Sequence, residues 1–306
     1  MSKKYHGVIP PILTPIDEQE RVDEESFRRL IDRCIDGGLH GIFVAGTNGE
    51  TMALTQKERN RAIKIAIDQA AGRVPVISGV MDSSTKRVIE NIKELEQMGG
   101  TCAAVTSIFY DRHTSQDETI RHFEKIAGST ELDLMIYNIP PFTGLKLSAA
   151  TVTEIAGLDR VVGYKDSSGS FTEFLQLVDH FEGSDFVCLQ GITPHALPSL
   201  LLGADGFVPA LGPLFPELFV EAYEAGISGN IPLAKKYNRL IRESSRILGM
   251  TKNGTAAAKY AVSLTGLMDK RVIMPQDFIL PEEEERVKAQ VERVSALHEE
   301  LKRSLS

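Results

Sequence analysis

Eight times between residues 7 and 226, a short apolar run is followed by a stretch with helical periodicity. Each run is apolar throughout rather than alternating, which is typical of a strand buried on both faces of a parallel sheet. The predicted strands span 7–15, 41–46, 74–80, 102–107, 132–140, 161–167, 186–191 and 206–211. The predicted helices span 24–37, 55–71, 83–98, 115–128, 148–157, 171–182, 194–202 and 215–226. Eight such units favour a closed (β/α)8 barrel, the TIM-barrel class of α/β folds, over an open sheet.

The residues that follow the eighth unit show helical patterns only. No linker rich in Pro, Gly and Ser separates them from the barrel segment. We therefore predict a (β/α)8 barrel over residues 1–228 and a C-terminal helical extension, 229–306, packed on it.

Charge and composition argue against nucleic acids and membranes as binding partners. The chain has 34 Lys and Arg against 42 Asp and Glu, a net charge of -8, whereas nucleic-acid-binding proteins are usually basic. It has no apolar run of the ~18 residues that a membrane span needs, and its N-terminus lacks the apolar core of a signal peptide. The three cysteines, Cys34, Cys102 and Cys188, predict no disulfide framework. We expect a cytoplasmic protein that binds small molecules, with no nucleic-acid or membrane partner.

Lys165 is the most informative residue, because chemistry in such a barrel lies at the carboxyl ends of the strands. It follows the apolar residues 161–164 on the sixth predicted strand. Burial disfavours a charged ammonium and lowers its pKa, which yields the neutral amine that attacks a carbonyl. The alternative is a lysine that reaches solvent at the strand end or pairs with Asp166.

Two further groups lie at strand ends. Tyr137, one strand earlier, could relay protons to and from a carbinolamine, or it could be a core tyrosine with a satisfied hydroxyl. Thr47 and Asn48 stand in a turn flanked by glycines, which presents N–H groups suited to a carboxylate. The same glycines are also needed by a simple strand-to-helix turn.

Metal and phosphate chemistry receive little support. The seven histidines are scattered without metal-binding spacing, and only His113 and His195 fall on the predicted catalytic side. The glycine-bearing segment 203–206 could belong to a phosphate site near the eighth strand, but Asp205 would repel phosphate. We expect no metal and no external cofactor.

Three motifs now coincide: Gly46–Glu50 (GTNGE), Tyr137–Gly144 (YNIPPFTG) and Gly163–Gly169 (GYKDSSG). Their order and placement resemble the dihydrodipicolinate synthase/N-acetylneuraminate lyase superfamily, over essentially the whole chain. The resemblance implies a class I pyruvate-dependent aldolase in which Lys165 forms an imine and no cofactor is required.

The resemblance also implies roles for individual residues. Tyr137 shuttles the proton, and Thr47 links it to Tyr110, which comes from a neighbouring subunit of a homodimer or homotetramer. The implied substrate-binding residues are Thr47, Asn48, Gly49, Phe142, Ser167, Gly191, Thr193 and Val208.

Two departures from the superfamily pattern bear on the substrate. The synthases usually carry an arginine at the position of Phe142, where it clamps the carboxylate of aspartate semialdehyde. Sialic acid lyases usually carry Asp-Glu shortly after the glycine that matches Gly191, where this chain has Ile192 and Thr193. We therefore expect reversible cleavage of a 2-oxo acid, a 2-keto-3-deoxy sugar acid, to pyruvate and an aldehyde. The alternatives are 4-hydroxy-tetrahydrodipicolinate synthase, a sugar-acid dehydratase on the same scaffold, and a catalytically silent binding protein.

Overall fold

The computed structural model describes residues 3–110 and 115–305. In this part of the chain, eight parallel strands form one sheet in the order β1-β8-β7-β6-β5-β4-β3-β2. The strands are β1 (Gly7–Val8), β2 (Ile42–Val44), β3 (Val76–Gly79), β4 (Cys102–Val105), β5 (Asp133–Asn138), β6 (Val161–Asp166), β7 (Val187–Gln190) and β8 (Gly206–Phe207). The predicted (β/α)8 barrel with C-terminal helices is confirmed.

The barrel closes between its first and second strands, just beyond the paired residues of β1. Phe43 N–H donates to the Pro10 carbonyl and the Phe43 carbonyl accepts from Ile12 N–H, each at 2.9 Å. The first strand is shorter than the predicted 7–15, because prolines at 10, 11 and 15 supply no N–H to a ladder.

Helices connect the strands at the predicted places. They are α1 (Glu24–Asp36), α2 (Gln56–Ala70), α3 (Thr85–Gln97), α4 (Gln116–Ala127), a short α5 (Pro140–Thr143), α6 (Ala149–Ala156), α7 (Phe171–His180), α8 (Ala196–Leu201) and α9 (Pro216–Ile227). Side-chain caps begin several of them, as where the Thr55 hydroxyl accepts from Glu58 N–H at 3.3 Å. The turn α5 was not predicted; it begins at a proline, which suits the first turn of a helix.

Two apolar layers enclose the sheet. Residues inside the barrel form one cluster that includes Phe43, Met135, Tyr137, Leu189 and Val208. A larger cluster packs the outer face of the strands against the helices, as Val105, Ile136 and Tyr164 do. Alternate residues along a strand face these two layers, so one strand supplies both. Lys165 and Asp166 therefore point in opposite directions.

The C-terminal extension is helical, with α10 (Ile231–Ser245), a 3₁₀ turn Arg246–Gly249, α11 (Gly254–Ser263) and α12 (Pro281–Arg303). Helix α10 packs against α9 and α12. The irregular segment 264–280 returns to the barrel, where Ile273 N–H donates to the Glu50 carboxylate at 2.9 Å. The division into two domains at residue 228 stays a prediction. Helix α9 ends just before this position, at Ile227, and α10 begins just after it, at Ile231. Among the described residues, no helix is long and apolar enough to cross a membrane.

The segment 203–206 lies before β8, not after it. Asp205 pairs with Lys3 at 2.8 Å and its carboxylate accepts from Cys188 N–H at 2.8 Å. This is the amino-terminal end of the barrel, opposite the end at which barrels of this kind carry their chemistry. The suggestion of a phosphate site at 203–206 was therefore wrong.

Candidate active site

Lys165 lies inside the barrel near the carboxyl end of β6. It is 5% exposed, and it stands in register with Tyr137 on β5 and Leu189 on β7. Its Nζ lies 3.7 Å from the centre of the Tyr137 ring and 4.6 Å from that of Phe43. The amine thus rests on aromatic faces and not in water.

Burial lowers the pKa of Lys165 to about 7, against a smaller opposing effect of the Asp166 charge. Asp166 does not pair with it, because its carboxylate accepts from the Tyr164 hydroxyl at 2.7 Å and from the Ser168 hydroxyl at 3.0 Å. Within the described residues, no hydrogen bond or ion pair reaches the Lys165 ammonium. The alternatives of a solvent-reaching lysine or an Asp166 pair are therefore wrong, and a neutral amine is available near neutral pH.

The ring of Tyr137 lies against this amine, and its hydroxyl is 3.3 Å from the Thr47 hydroxyl. Burial raises the pKa of Tyr137 to about 12, although hydrogen bonds from Thr47 and Ser167 oppose the rise. A protonated phenol with two hydroxyl neighbours can give and recover a proton. The structure thus brings the side chains of Lys165, Tyr137, Thr47 and Ser167 together at the carboxyl end of the strands.

The turn after β2 offers free donors. The N–H groups of Gly49, Glu50 and Thr51 bond to carbonyls of the same turn, whereas those of Thr47 and Asn48 have no hydrogen-bond partner in the described part of the chain. The Asn48 side chain donates to the Ala210 carbonyl at 3.1 Å, which fixes the turn against the segment that follows β8. Two unpaired N–H groups beside a reactive amine suit a carboxylate.

Glycine is required at position 191 for packing. A Cβ there would lie 2.5 Å from the Asp166 carbonyl oxygen and 2.2 Å from the Ser167 hydroxyl. Its absence lets β7 and β6 close together, and Gly191 N–H donates to that carbonyl at 2.6 Å. Val208 follows β8, and its buried side chain belongs to the cluster inside the barrel.

A cavity of about 1290 Å³ opens above these residues. Most of the predicted binding residues line it: Thr47, Asn48, Phe142, Ser167, Gly191 and Val208, together with the catalytic candidates Lys165 and Tyr137. Phe142 is carried by α5 and is 65% exposed at the mouth.

Three predicted residues do not line the cavity. Gly49 belongs to the turn Gly46–Glu50 but does not line the cavity, and its carbonyl accepts from the Thr14 hydroxyl at 2.9 Å. Thr193 begins a 3₁₀ turn, Thr193–His195, beyond the wall. Tyr110 is 97% exposed, so in this chain it does not contact Thr47. Of the two histidines considered, His113 lies outside the described residues, and His195 packs on Phe171 with ring centres 5.1 Å apart.

Sequence reasoning missed the contribution of the C-terminal extension. Part of the cavity wall comes from residues before α11, in its first turn and after it: Leu248, Lys252, Asn253, Thr255, Met274, Pro275, Gln276 and Asp277. These residues stand far along the chain from the barrel motifs, and no local pattern indicates which turn of an extension reaches the strand ends.

The described residues do not offer a metal site or an activated cysteine as an alternative to Lys165. No group of three or more potential metal ligands occurs among the described His, Cys, Asp and Glu residues. The three thiols are buried, and burial raises the pKa of each to about 12, so none is an activated nucleophile. A buried lysine amine against the ring of a tyrosine, at the carboxyl end of the barrel strands, is the arrangement expected of a (β/α)8 barrel of the class that forms an imine with its substrate.

Comparisons with known proteins agree with this class. The Dihydrodipicolinate synthetase family model matches residues 4–294. The 4-hydroxy-tetrahydrodipicolinate synthase of Methanopyrus kandleri is 32% identical over 269 residues, which cover 87% of this chain and 89% of that protein. The solved dihydrodipicolinate synthase of Bacteroides thetaiotaomicron is 29% identical, with a TM-score of 0.90 over 96% of this chain and 100% of that one.

A second solved structure is that of YagE, a prophage protein of this family from E. coli K12 in complex with pyruvate. It is 27% identical, with a TM-score of 0.90 over 95% of this chain and 99% of that one. The chain belongs to the dihydrodipicolinate synthetase family, a family of pyruvate-dependent aldolases and synthases. The resemblance stated from the three motifs is confirmed.

Proposed function

We propose that Lys165 forms an imine with C2 of pyruvate or of a 2-oxo acid that releases pyruvate. The observation that carries this proposal is the buried amine with its pKa lowered to about 7, lying 3.7 Å from the centre of the Tyr137 ring. The neutral amine adds to the ketone, Tyr137 passes a proton to the carbinolamine oxygen, and water leaves. No external cofactor takes part in these steps.

The substrate carboxylate lies on the free N–H groups of Thr47 and Asn48. Donors already fixed in the turn orient the ketone towards Lys165 without reorganisation during the reaction. The iminium then withdraws electrons: the C4 hydroxyl gives its proton to the Tyr137 oxygen, which had passed its own proton to the carbinolamine, and the C3–C4 bond breaks to release an aldehyde and leave an enamine. The enamine takes up a proton at C3, and water hydrolyses the resulting imine to release pyruvate and the free amine of Lys165. The reverse sequence joins pyruvate to an aldehyde.

Two observations point to different aldehydes as the acceptor that joins pyruvate. The names of the relatives, 4-hydroxy-tetrahydrodipicolinate synthase and dihydrodipicolinate synthase, support condensation with aspartate semialdehyde. The cavity supports a neutral acceptor, because Phe142 occupies the position of the arginine clamp. Besides Lys165, Lys252 is the only basic residue among the described lining residues, and it is paired with Asp277.

The upper wall of the cavity suits hydroxyl groups. It presents the amides of Asn253 and Gln276, which hydrogen-bond each other at 2.5 Å, and the nearby Thr255. Amide and hydroxyl groups bind a polyol without a charge. We therefore infer a lyase for a 2-keto-3-deoxy sugar acid, with the synthase as the second candidate because the relatives' names favour it. A dehydratase would use the same imine and expel water.

A panel of acceptors decides between these functions. The enzyme is incubated with pyruvate and either glyceraldehyde or aspartate semialdehyde, and the products are identified by mass spectrometry. We expect condensation with the neutral aldehyde. Condensation with aspartate semialdehyde alone would establish the synthase and contradict the sugar-acid assignment. In a separate incubation with a 2-keto-3-deoxy sugar acid, loss of water without carbon–carbon cleavage would identify a dehydratase.

Phe142→Arg tests the residue on which the choice depends. A guanidinium at the mouth supplies the bidentate carboxylate partner that this chain lacks. We expect kcat/KM for aspartate semialdehyde to rise by about tenfold or more, since a charged hydrogen bond contributes about 1.5–3 kcal/mol. Phe142→Met, which changes the shape without adding charge, serves as the control and should leave that value low. An unchanged kcat/KM in Phe142→Arg would show that position 142 does not select the acceptor.

The predicted partner is a second copy of this chain that places its Tyr110 at the site, in a homodimer or homotetramer. The exposure of Tyr110, 97%, supports the proposal, because the side chain is almost free of contact with the described residues of its own subunit. The cytoplasmic location stays a prediction.

A further inference from the structure

One buried ion pair joins the C-terminal extension to the turn that carries Thr47. The Lys259 ammonium on α11 pairs with the Glu50 carboxylate, and the two side chains are 0% and 1% exposed. The pair is extended on both sides: Lys259 donates to the Arg271 carbonyl at 2.8 Å, and Glu50 accepts from Ile273 N–H at 2.9 Å. Three separate parts of the chain therefore meet at Glu50.

Stability alone gives little reason for such a pair. Removing two charges from water costs about as much as their attraction returns, and well-packed apolar residues often stabilise a protein more. A buried charge with a single suitable partner does, however, fix the position of that partner. The position of this pair is therefore more informative than its energy.

Glu50 is the last residue of the turn Gly46–Glu50, and its backbone is held in the left-handed region with φ of +54°. Its N–H donates to the Thr47 carbonyl at 3.0 Å, and its carbonyl accepts from Ala53 N–H at 2.8 Å. A shift of Glu50 therefore moves Thr47 directly. The contact between the Thr47 and Tyr137 hydroxyls is already 3.3 Å, beyond the usual range for hydroxyl pairs, so a small shift breaks it.

The other side of the pair controls the cavity wall. Ile273, bonded to Glu50, precedes Met274, Pro275 and Gln276, all of which line the cavity. Met274 N–H is fixed in turn to the Glu20 carboxylate at 2.9 Å. The residue Glu50 therefore connects the wall formed by residues 274–276 to the turn Gly46–Glu50.

We propose that Glu50 and Lys259 are positioning residues: their ion pair holds the turn Gly46–Glu50, and with it Thr47 and the two free N–H groups, against the wall formed by residues 274–276. The inference rests on the proposed imine chemistry for its catalytic consequence. Its structural consequence, an ordered turn, does not depend on that chemistry.

The test compares Glu50→Gln, Lys259→Met and the double variant. Amide hydrogen exchange over residues 46–54 is measured without substrate, and the rate of borohydride-trapped adduct formation with pyruvate is measured at saturating borohydride. Each single variant should exchange faster, lose thermal stability and form the adduct about ten- to a hundredfold more slowly, as expected of a misplaced reacting group. The double variant leaves no unpaired charge, so it should regain thermal stability while exchange stays fast and trapping stays slow.

Two comparisons separate positioning from a general structural effect. On a Thr47→Val background, Glu50→Gln should slow trapping by less than about twofold, because residues that act through one another are not additive. Glu217→Gln, the same change in the α1–α9 ion pair with Arg33, should leave trapping and exchange at 46–54 unchanged.

The outcomes are distinguishable. A double variant with wild-type exchange and wild-type trapping would overturn the inference, as would full additivity with Thr47→Val. If the wild-type protein forms no adduct, the proposed function fails, and the exchange measurement alone still decides whether the pair orders the turn.

Discussion

At the scale of single residues, the site depends on where one amine lies relative to water. Lys165 faces the barrel interior, while its neighbour Asp166 faces the helices and is occupied by Tyr164 and Ser168. If the strand register were shifted by one residue, the carboxylate would lie inside and the amine outside. The low pKa of Lys165 is therefore a property of the register of β6.

Tyr137→Phe removes the proton relay and leaves the amine in place. We expect kcat to fall by about 10²–10⁴-fold, the usual contribution of a positioned acid–base group. Initial-rate kinetics with the preferred 2-oxo acid measure the fall. Leu177→Ala, a change in the outer layer, would control for a general loss of packing and should retain kcat in its folded fraction. A Tyr137→Phe enzyme with nearly wild-type kcat would exclude Tyr137 as the relay.

The sequence predicts Lys165, Tyr137 and Thr47 because each stands at a strand end within a motif. It does not predict that Gly49 and Thr193 lie behind the wall, since that depends on how each turn bends after its strand. It also does not indicate Glu50 and Lys259 as a pair, because more than 200 residues separate them and neither stands in a helical or strand pattern shared with the other.

At the scale of elements, the apolar runs predict the positions of all eight strands, but they overestimate the lengths of several of them. Prolines shorten β1, and Pro140 starts the unpredicted turn α5 that carries Phe142 to the mouth. The extension shows the same limit: its helices follow from periodicity, but the path of residues 264–280 over the barrel depends on contacts with Glu20 and Glu50.

Gly206→Ala tests the closure of the barrel. A Cβ at this position would lie 2.1 Å from the Gly7 carbonyl oxygen, so β8 and β1 would have to separate. We expect a loss of about 3 kcal/mol in the free energy of unfolding, at the upper end for overpacking. Chemical denaturation measures it.

Gly249→Ala is the matched control for that variant. Nothing lies within 4 Å of a Cβ at Gly249, so the same chemical change should alter stability by no more than about 0.5 kcal/mol. Equal stability of the two variants would mean that β1 and β8 are not packed as closely as described.

At the scale of the whole molecule, the net charge of -8 does not by itself favour the binding of an anionic substrate such as the proposed 2-oxo acid. In the proposed reaction, the local donors at Thr47 and Asn48 receive the carboxylate, and the amine of Lys165 receives the ketone. Charge over the surface and charge at the site are separate properties here, and only the second bears on the reaction.

Subunit mixing tests whether Tyr110 acts on a neighbouring site. Tyr110→Phe and Lys165→Ala are each expected to lose most activity as separate proteins. After unfolding and joint refolding, hybrid sites that combine Lys165 of one subunit with Tyr110 of the other should restore activity. Sedimentation should show a dimer or tetramer for both variants. An oligomer whose mixtures stay inactive would contradict a role for Tyr110 across the interface.

The most direct test of the account is borohydride reduction in the presence of pyruvate, followed by mass spectrometry and repeated across pH. We predict a pyruvate adduct on Lys165 and none in Lys165→Ala. Because burial lowers the pKa of Lys165 to about 7, the initial rate of trapping should rise as the pH rises through 7 and then level off as the amine becomes fully neutral. No adduct on Lys165, or a rate that keeps rising to the ordinary lysine pKa of about 10.4, would contradict the account.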